Sequence, residues 1–191
     1  MIDFTKTLET SQILLRPLRQ EDYNRFTEIT YDKDMWIFFT NDLSDENVLI
    51  KWIEAGVQEI KDKKRLAFSI IDKRTNSIIG CTSIGNISER DKRFEIGWTW
   101  LCREFQGKGI NDQTKYLLLK YCFEELECQR VEFKTDVLNK PARNALKRIG
   151  AVEEGVLRSH TLMTHNRRRD TIYYSILRHE WENIKLINNW P

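Results

Sequence analysis

The chain has 191 residues, a length that suits one domain with a buried core and requires no second domain. Its 31 basic and 29 acidic side chains nearly cancel, so the net charge disfavours nucleic acid as a partner. The amino terminus lacks the apolar core of a secretory signal, and no apolar run approaches the ~18 residues of a membrane span. These features predict a cytoplasmic protein without a membrane partner.

The four cysteines predict no metal site. They form no Cys-x-x-Cys pair, and no histidine stands near them at the spacing of zinc ligands. We therefore expect reduced thiols with packing roles at Cys81, Cys102, Cys122 and Cys128.

The first third of the chain predicts one strand and two helices. Residues 12–18 alternate as a strand does, and residues 20–31 predict a helix that opens with acidic side chains. An aromatic connector follows at residues 35–39. The helical period is clearest over residues 44–61, whose apolar stripe should face a sheet.

The rest of the chain predicts a meander and then alternating helices and strands. Strands are expected over residues 66–72, 78–87 and 93–101, and a helix over residues 112–126. The remaining expected elements are a strand at 130–137, a short helix between Pro141 and Gly150, and strands near 152–163 and 168–177.

A glycine-punctuated loop at residues 103–111 joins the third meander strand to the long helix. Glycines let the backbone curl with its N–H groups pointing inward, and the first turn of a helix leaves further donors unpaired at the positive end of the helix dipole. Such a loop binds phosphate. The same residue types also serve an ordinary surface turn, which is the structural alternative.

Two familiar phosphate loops do not fit this spacing. A P-loop requires Ser or Thr directly after its lysine, whereas Lys108 is followed by Gly109. The dinucleotide loop requires a third glycine where Asp112 stands. The remaining pattern resembles the Gln/Arg-x-x-Gly-x-Gly/Ala loop of the GNAT superfamily of N-acetyltransferases, with Gln106 and Gly109 matching and Asn111 replacing the small last residue.

Other segments extend the resemblance over most of the chain. Residues 139–151 are similar to the superfamily's asparagine, short helix and glycine pattern, residues 14–22 to its opening strand and helix, and residues 95–98 to its fourth strand. Residues 169–175 resemble the closing strand of the ribosomal-protein acetyltransferase branch, the RimJ/RimL type. The resemblance implies a single α+β domain over residues 1–191, with a mixed, mostly antiparallel sheet of about seven strands flanked by about four helices.

The function implied by the resemblance is transfer of an acetyl group from acetyl-CoA to a primary amine, by direct attack within a ternary complex. The ribosomal branch makes a protein or peptide N-terminus, including that of a ribosomal protein, the first expected acceptor, and a small amine the second. A monomer and a homodimer both remain open. The alternative of a different class is a catalytically silent module that binds acyl-CoA or docks on RNA through residues 167–169.

The resemblance also implies the cofactor contacts. Lys108 is either a phosphate partner or a solvated loop lysine, and Asn139 either contacts the pantetheine arm or ends a strand by satisfying a turn. The expected contacts lie in the loop, at the end of the third meander strand and at the asparagine: Gln106, Gly107, Lys108, Gly109, Ile110, Asn111, Trp100, Leu101, Cys102 and Asn139. A main-chain N–H among residues 100–102 is expected to bind the thioester oxygen.

Glu95 is the expected general base, because a carboxylate beside the thioester can accept the amine's proton directly or through one water. Strand alternation places Glu95 on one face with Gly97 and Thr99, and it places Phe94, Ile96 and Trp98 on the other. An outward structural glutamate is the alternative.

The acceptor side is expected to include Trp36, Phe38 and Trp98, although aromatic residues at such places also complete a core. No general acid is found by resemblance: Leu146 replaces the tyrosine of many superfamily members, and Ala142 replaces the serine of the ribosomal branch.

Overall fold

One mixed sheet with helices on both faces forms the protein. The structure is a computed structural model, and it describes residues 1–191 apart from the side chain of His165. The strands are β1 (Leu8–Glu9), β2 (Ile13–Pro17), β3 (Leu66–Asp72), β4 (Ser77–Ser88), β5 (Arg93–Leu101), β6 (Arg130–Asp136), β7 (Val152–Leu162) and β8 (Arg168–Leu177). The helices are α1 (Tyr23–Ile29), α2 (Glu46–Lys61), α3 (Ile110–Lys120), α4 (Lys140–Arg148) and α5 (Trp181–Asn188).

The sheet has the strand order β1-β2-β3-β4-β5-β6-β8-β7. Every neighbouring pair is antiparallel except β5 and β6, which are parallel. This confirms the predicted α+β class and the mixed, mostly antiparallel sheet. The strand count is eight rather than about seven, because β1 has only two residues and so shows no alternation that a sequence could reveal.

The two parallel strands separate after a short paired stretch. Residues 93–95 of β5 pair with residues 130–132 of β6, and the pairing between them goes no further. Beyond Glu95, β5 continues to Leu101 with β4 as its partner. Gly97, Trp98 and Thr99 are partly exposed although they lie in a central strand. We call the resulting space, between residues 96–101 of β5 and the end of β6, the gap.

A bulge in β5 lies beside the gap. Cys81 pairs with Trp100 and Ser83 with Gly97, so β5 carries one extra residue there, and Trp98 takes a positive φ of 53°. The ring of Trp98 lies 2.8 Å from where a Cβ on Gly85 would stand. Because Gly85 pairs with Glu95, the bulge places the Trp98 ring on the face of Glu95.

The predicted alternation of β5 is therefore wrong after Gly97. Trp98 does not share the face of Phe94 and Ile96, and Thr99 does not share that of Glu95. Thr99 turns instead toward α3, where its Oγ1 lies 2.7 Å from Lys115 Nζ. Trp100 returns to the Glu95 face and packs against Phe26 of α1 with ring centroids 5.1 Å apart. Helices α1 and α2 thus cover one face of the central strands, and α3 covers the other.

Candidate active site

The loop before α3 has the geometry of an anion cradle. Gly107 and Gly109 have φ angles of 71° and 77°, a region that favours glycine, and Gly109 is the N-cap of α3. A Cβ on either glycine would meet nothing within 4 Å, so the space in front of the loop is open. Helix α3 begins at Ile110, two residues before the predicted start at Asp112, because the left-handed Gly109 ends the loop directly.

The first turn of α3 presents unpaired donors to this space. Gln113 is the first residue of the helix whose N–H finds a carbonyl, that of Gly109 at 3.1 Å. The amides of Ile110, Asn111 and Asp112 have no carbonyl to reach within the helix. The Ile110 side chain is buried, so this residue faces a ligand through its backbone alone.

Gln106 connects the loop to the end of β5. Its Nε2 donates to the Leu101 carbonyl at 2.8 Å. Lys108 lies on the outside of the loop, with Nζ 5.7 Å from the centroid of the Phe105 ring. The cradle is therefore held against the open end of the gap.

All three residues expected beside the thioester are buried, and the main-chain N–H of Cys102 is already engaged. The Cys102 N–H donates to Ile79 of β4 at 2.9 Å, and burial raises the pKa of its thiol, so it provides neither an amide nor a ready thiolate. Trp100 is buried in the aromatic core. Because N–H directions alternate along a strand, the Leu101 N–H points away from β4, toward the gap.

Asn139 stands at the end of β6, across the gap from β5. It is the N-cap of α4, and its Oδ1 accepts a hydrogen bond from the Ala142 N–H at 3.2 Å. Its amide Nδ2 has no partner among the residues that the structure describes. The amide oxygen of Asn139 thus caps α4, and its amide nitrogen remains available for another hydrogen bond.

Glu95 is a buried carboxylate at the closed end of the gap. It is 4% exposed, and its Oε2 forms an ion pair with Lys134 Nζ at 2.9 Å and accepts a hydrogen bond from Asn86. Its Oε1 lies 3.2 Å from where a Cβ on Gly97 would stand. The missing side chain at Gly97 therefore keeps that second oxygen clear.

A polar cavity of about 480 Å³ opens at Glu95. Two carboxylates and two cations are among its walls, so its charges balance. The lining residues are Asn86, Ile87, Ser88, Arg93, Glu95, Glu132, Lys134 and Tyr173.

The aromatic residues expected on the acceptor side have different environments. Trp36 is 1% exposed, donates from its indole N–H to the Thr30 carbonyl, and packs on Trp100, so it belongs to the core. Phe38 is half-buried. Trp98 is also half-buried, and the Arg65 guanidinium lies 5.1 Å from its ring centroid.

The hairpin of β7 and β8 reaches the aromatic connector. Arg167 donates to the carbonyl of Ile37 at 3.5 Å and forms an ion pair with Asp136. A second cavity, of about 330 Å³, lies between Arg167 and residues 33–42. The hairpin and the aromatic connector thus border one cavity.

Sequence reasoning missed Lys115, which is 5% exposed on the sheet-facing side of α3. Burial lowers the pKa of its amine to about 7. The signal was present in the chain: Lys115 stands four and seven residues before Leu119 and Cys122, which are apolar, buried and on the same side of the predicted helix.

Comparison with known families identifies the fold. The profile described as "Acetyltransferase (GNAT) domain" matches residues 12–152, most of the chain. The chain belongs to the GNAT acetyltransferase family. It is therefore an acetyltransferase.

Individual GNAT relatives span nearly the whole chain. The Bacillus subtilis (strain 168) protein named "Putative ribosomal N-acetyltransferase YdaF" is 31% identical over 182 residues, covering 91% of this chain and 95% of its own. A solved structure of a "putative acetyltransferase" from T. thermophilus superposes with a TM-score of 0.87 at 29% identity, covering 99% of this chain and 98% of that one. The ribosomal-protein-S5-alanine acetyltransferase from Vibrio fischeri shares the fold, with a TM-score of 0.75 at 19% identity and coverages of 92% and 98%.

Metal clusters and membrane-spanning helices are both absent from the described part of this GNAT domain. The described residues contain no group of three or more His, Cys, Asp or Glu side chains that could hold a metal ion. No helix among them has the length and apolar character needed to cross a membrane.

Proposed function

We propose that this GNAT protein transfers an acetyl group from acetyl-CoA to a primary amine, by direct attack in a ternary complex. The observation that carries the proposal is the layout of β5. This one strand joins a buried carboxylate, Glu95, to a phosphate cradle that begins just after Leu101. Six residues of strand span roughly 20 Å, which suits an extended cofactor arm lying along the gap.

The cofactor's binding is assigned to groups at the open end of the gap. The amides of residues 109–112 and the dipole of α3 would hold the pyrophosphate, with Lys108 adding positive charge. Asn139 would offer its free Nδ2 to the pantetheine arm from the opposite wall. A main-chain N–H of β5 that faces the gap would bind the oxyanion that forms on the thioester carbonyl.

Glu95 is assigned to deprotonate the acceptor. An ammonium cannot attack a thioester, so the acceptor must lose a proton before the C–N bond forms. The open Oε1 of Glu95 can take that proton directly or through one water. Lys134 and Asn86 hold the other oxygen, which fixes the carboxylate in place.

A peptide N-terminus is the acceptor that we propose first. The polar, charge-balanced cavity at Glu95 suits a group with a cationic amine and neighbouring amide dipoles better than an apolar amine. The names of the YdaF and Vibrio fischeri relatives also refer to ribosomal substrates, which makes a ribosomal protein's N-terminus a reasonable choice. A small amine is the second choice.

RNA docking through residues 167–169 receives less support. Arg167 forms an ion pair with Asp136, and Arg169 is buried with its Nε donating to Thr171 at 3.0 Å. Arg168 is the exposed member of the run. A single exposed arginine is a weak footprint for nucleic acid.

Acetylation of a matched peptide pair tests the acceptor. One peptide carries a free N-terminus and no lysine, and its twin is identical but formylated at the N-terminus. With acetyl-CoA, mass spectrometry should find one added acetyl group on the first peptide and none on the second. If neither peptide reacts while a small amine does, the acceptor is a small molecule and the peptide proposal is wrong.

A further inference from the structure

Lys115 is a buried cationic residue that the proposed chemistry does not use. The residue is 5% exposed, and among the described residues no carboxylate forms an ion pair with its amine. Burying an amine without a counter-ion costs free energy, and a surface position would avoid that cost. The residue occupies a position on α3 where an apolar side chain would pack without penalty.

The hydrogen bonds of Lys115 lead to the gap. Its Nζ lies 2.7 Å from Thr99 Oγ1, which also lies 2.8 Å from Thr82 Oγ1 and 3.3 Å from the Gly97 carbonyl. Thr82 is fully buried, whereas Thr99 is partly exposed on the part of β5 that has no β6 partner. Thr99 is therefore the member of the cluster that can touch a molecule in the gap.

None of the residues assigned so far can donate a proton to the departing sulfur. When the tetrahedral intermediate collapses, the C–S bond breaks and its electron pair goes to sulfur, which then needs a proton. Ala142 and Leu146 carry no hydroxyl. A hydroxyl that accepts a hydrogen bond from a protonated amine can supply the proton, because the amine replaces the proton that the hydroxyl donates.

The geometry points to Thr99 and Lys115 as the proton-donating pair for the departing thiolate of coenzyme A. This inference rests on the proposed function. Thr99 donates its hydroxyl proton to sulfur while Lys115 donates one to Thr99 Oγ1, so the products are the thiol and a neutral Lys115 amine. Lys115 then recovers a proton from solvent. The acceptor ammonium loses two protons, one to Glu95 before attack and one to solvent during collapse, and Glu95 passes its proton to solvent, so each turnover releases one proton net.

A pH dependence follows from the surroundings of Lys115. The Lys115 amine contacts the Thr99 hydroxyl, which in turn contacts that of Thr82, and among the described residues no charged side chain shifts the titration of the amine. The pKa of about 7 results from burial alone, so the donating form is lost as the pH rises through that region. The turnover number should therefore fall on the alkaline side in the native protein and not in Lys115→Met.

Substitutions with two acyl donors test the pair. Lys115→Met and Thr99→Val should each lower kcat with acetyl-CoA by about tenfold to a hundredfold, while Thr99→Ser, which keeps the hydroxyl, should stay within about threefold of native. With acetyl-seleno-CoA as the acyl donor, the variants and the native protein should have similar kcat values, because a selenolate leaves without protonation. Lys120→Met, an exposed lysine on the same helix, is the matched control.

Equal losses with the thioester and the selenoester would make Lys115 and Thr99 structural and overturn the inference. Native turnover in both variants would also overturn it. If Lys115→Met fails to fold, Thr99→Val and Thr99→Ser alone decide between these results.

A binding measurement tests the pair without turnover. The thiolate of bound coenzyme A absorbs in the ultraviolet, so its titration gives the pKa of the bound thiol. The bound thiolate and the protonated Lys115 amine stabilise each other's charge, so the pKa of the thiol should lie below its ordinary value of roughly 8.5, and Lys115→Met should raise it. An identical thiol pKa in the two proteins would contradict the inference. Because no acceptor is needed, the result stands even if the native protein acetylates no amine.

Discussion

At the scale of single residues, Glu95 combines burial with one engaged and one open oxygen. Lys134 and Asn86 bind Oε2, so the buried carboxylate has its charge compensated. Oε1 faces the space left by Gly97. A purely structural glutamate would need its ion pair but would have no need of a glycine two residues further along the strand.

Glu95→Gln is the first prediction. The amide keeps the shape and can still bond Asn86, but it cannot accept the acceptor's proton. We expect turnover to fall by about a hundredfold, with the largest loss below the pKa of the amine and with coenzyme A affinity retained in calorimetry. Glu124→Gln is the control, because Glu124 also pairs with a lysine, Lys185, and lies beyond the far end of α3. Native turnover of Glu95→Gln at every pH would exclude the base role.

Lys115→Met gives the second prediction, on stability. The folded state holds the pKa of Lys115 at about 7 against an ordinary value of 10.5, so between these values the unfolded chain binds more protons. The native protein should therefore gain stability as the pH rises from about 7 to about 10. Lys115→Met should be the more stable protein at pH 7, and its advantage should shrink with rising pH.

Thermal unfolding at several pH values measures this difference. The Lys120→Met control should unfold at a temperature that tracks the native one, because Lys120 is exposed. A Lys115→Met variant that is less stable than the native protein at pH 7 would show that the buried amine is a net stabilising group, contrary to our prediction.

At the scale of elements, α3 is important because its start, rather than its packed face, meets the proposed ligand. The left-handed Gly109 serves as N-cap and leaves three amides free in the first turn. Asp112 also lies in that turn, but Arg148 pairs with it at 2.8 Å and offsets its charge. The helix end therefore presents donors with little opposing charge.

A matched pair at Gly109 gives the third prediction. Asp and Asn have nearly the same shape and both tolerate a left-handed backbone, so Gly109→Asp and Gly109→Asn differ mainly in charge. The carboxylate would stand where the pyrophosphate is proposed to bind, and it should weaken coenzyme A binding by about tenfold or more relative to Asn. If calorimetry gives the two variants equal affinities for coenzyme A, the pyrophosphate does not bind at this loop.

The bulge in β5 shows where reasoning from sequence ends. Alternation correctly located β5 at residues 93–101, but period-two patterns contain no mark for an inserted residue. The predicted sheet faces of Trp98 and Thr99 were therefore wrong, and no face was predicted for Trp100. The conformation of the glycine loop was easier to predict, because glycines at a strand-to-helix junction have a local conformational reason. Lys115, by contrast, acquires its environment only when α3 packs on the sheet.

At the scale of the whole molecule, the proposed function depends on the separation of β5 and β6. The pairing stops at Glu95 and Glu132, with the cradle and Asn139 at the open end and the polar cavity at the closed end. The layered α+β fold could be predicted from the order of the elements, because the hydrophobic period distinguishes strands from helices. The length over which two parallel strands pair depends on tertiary packing, and no local pattern encodes it.

Amine-dependent release of thiol from acetyl-CoA tests the central claim most directly. The native protein is mixed with acetyl-CoA, with and without a panel of peptides and small amines, and free thiol and amide product are measured together. We predict thiol release only when an amine is present, with one thiol formed for each amide. If calorimetry shows that acetyl-CoA binds and yet no amine in the panel releases thiol, or if thiol appears equally without an amine, direct transfer in the gap is contradicted.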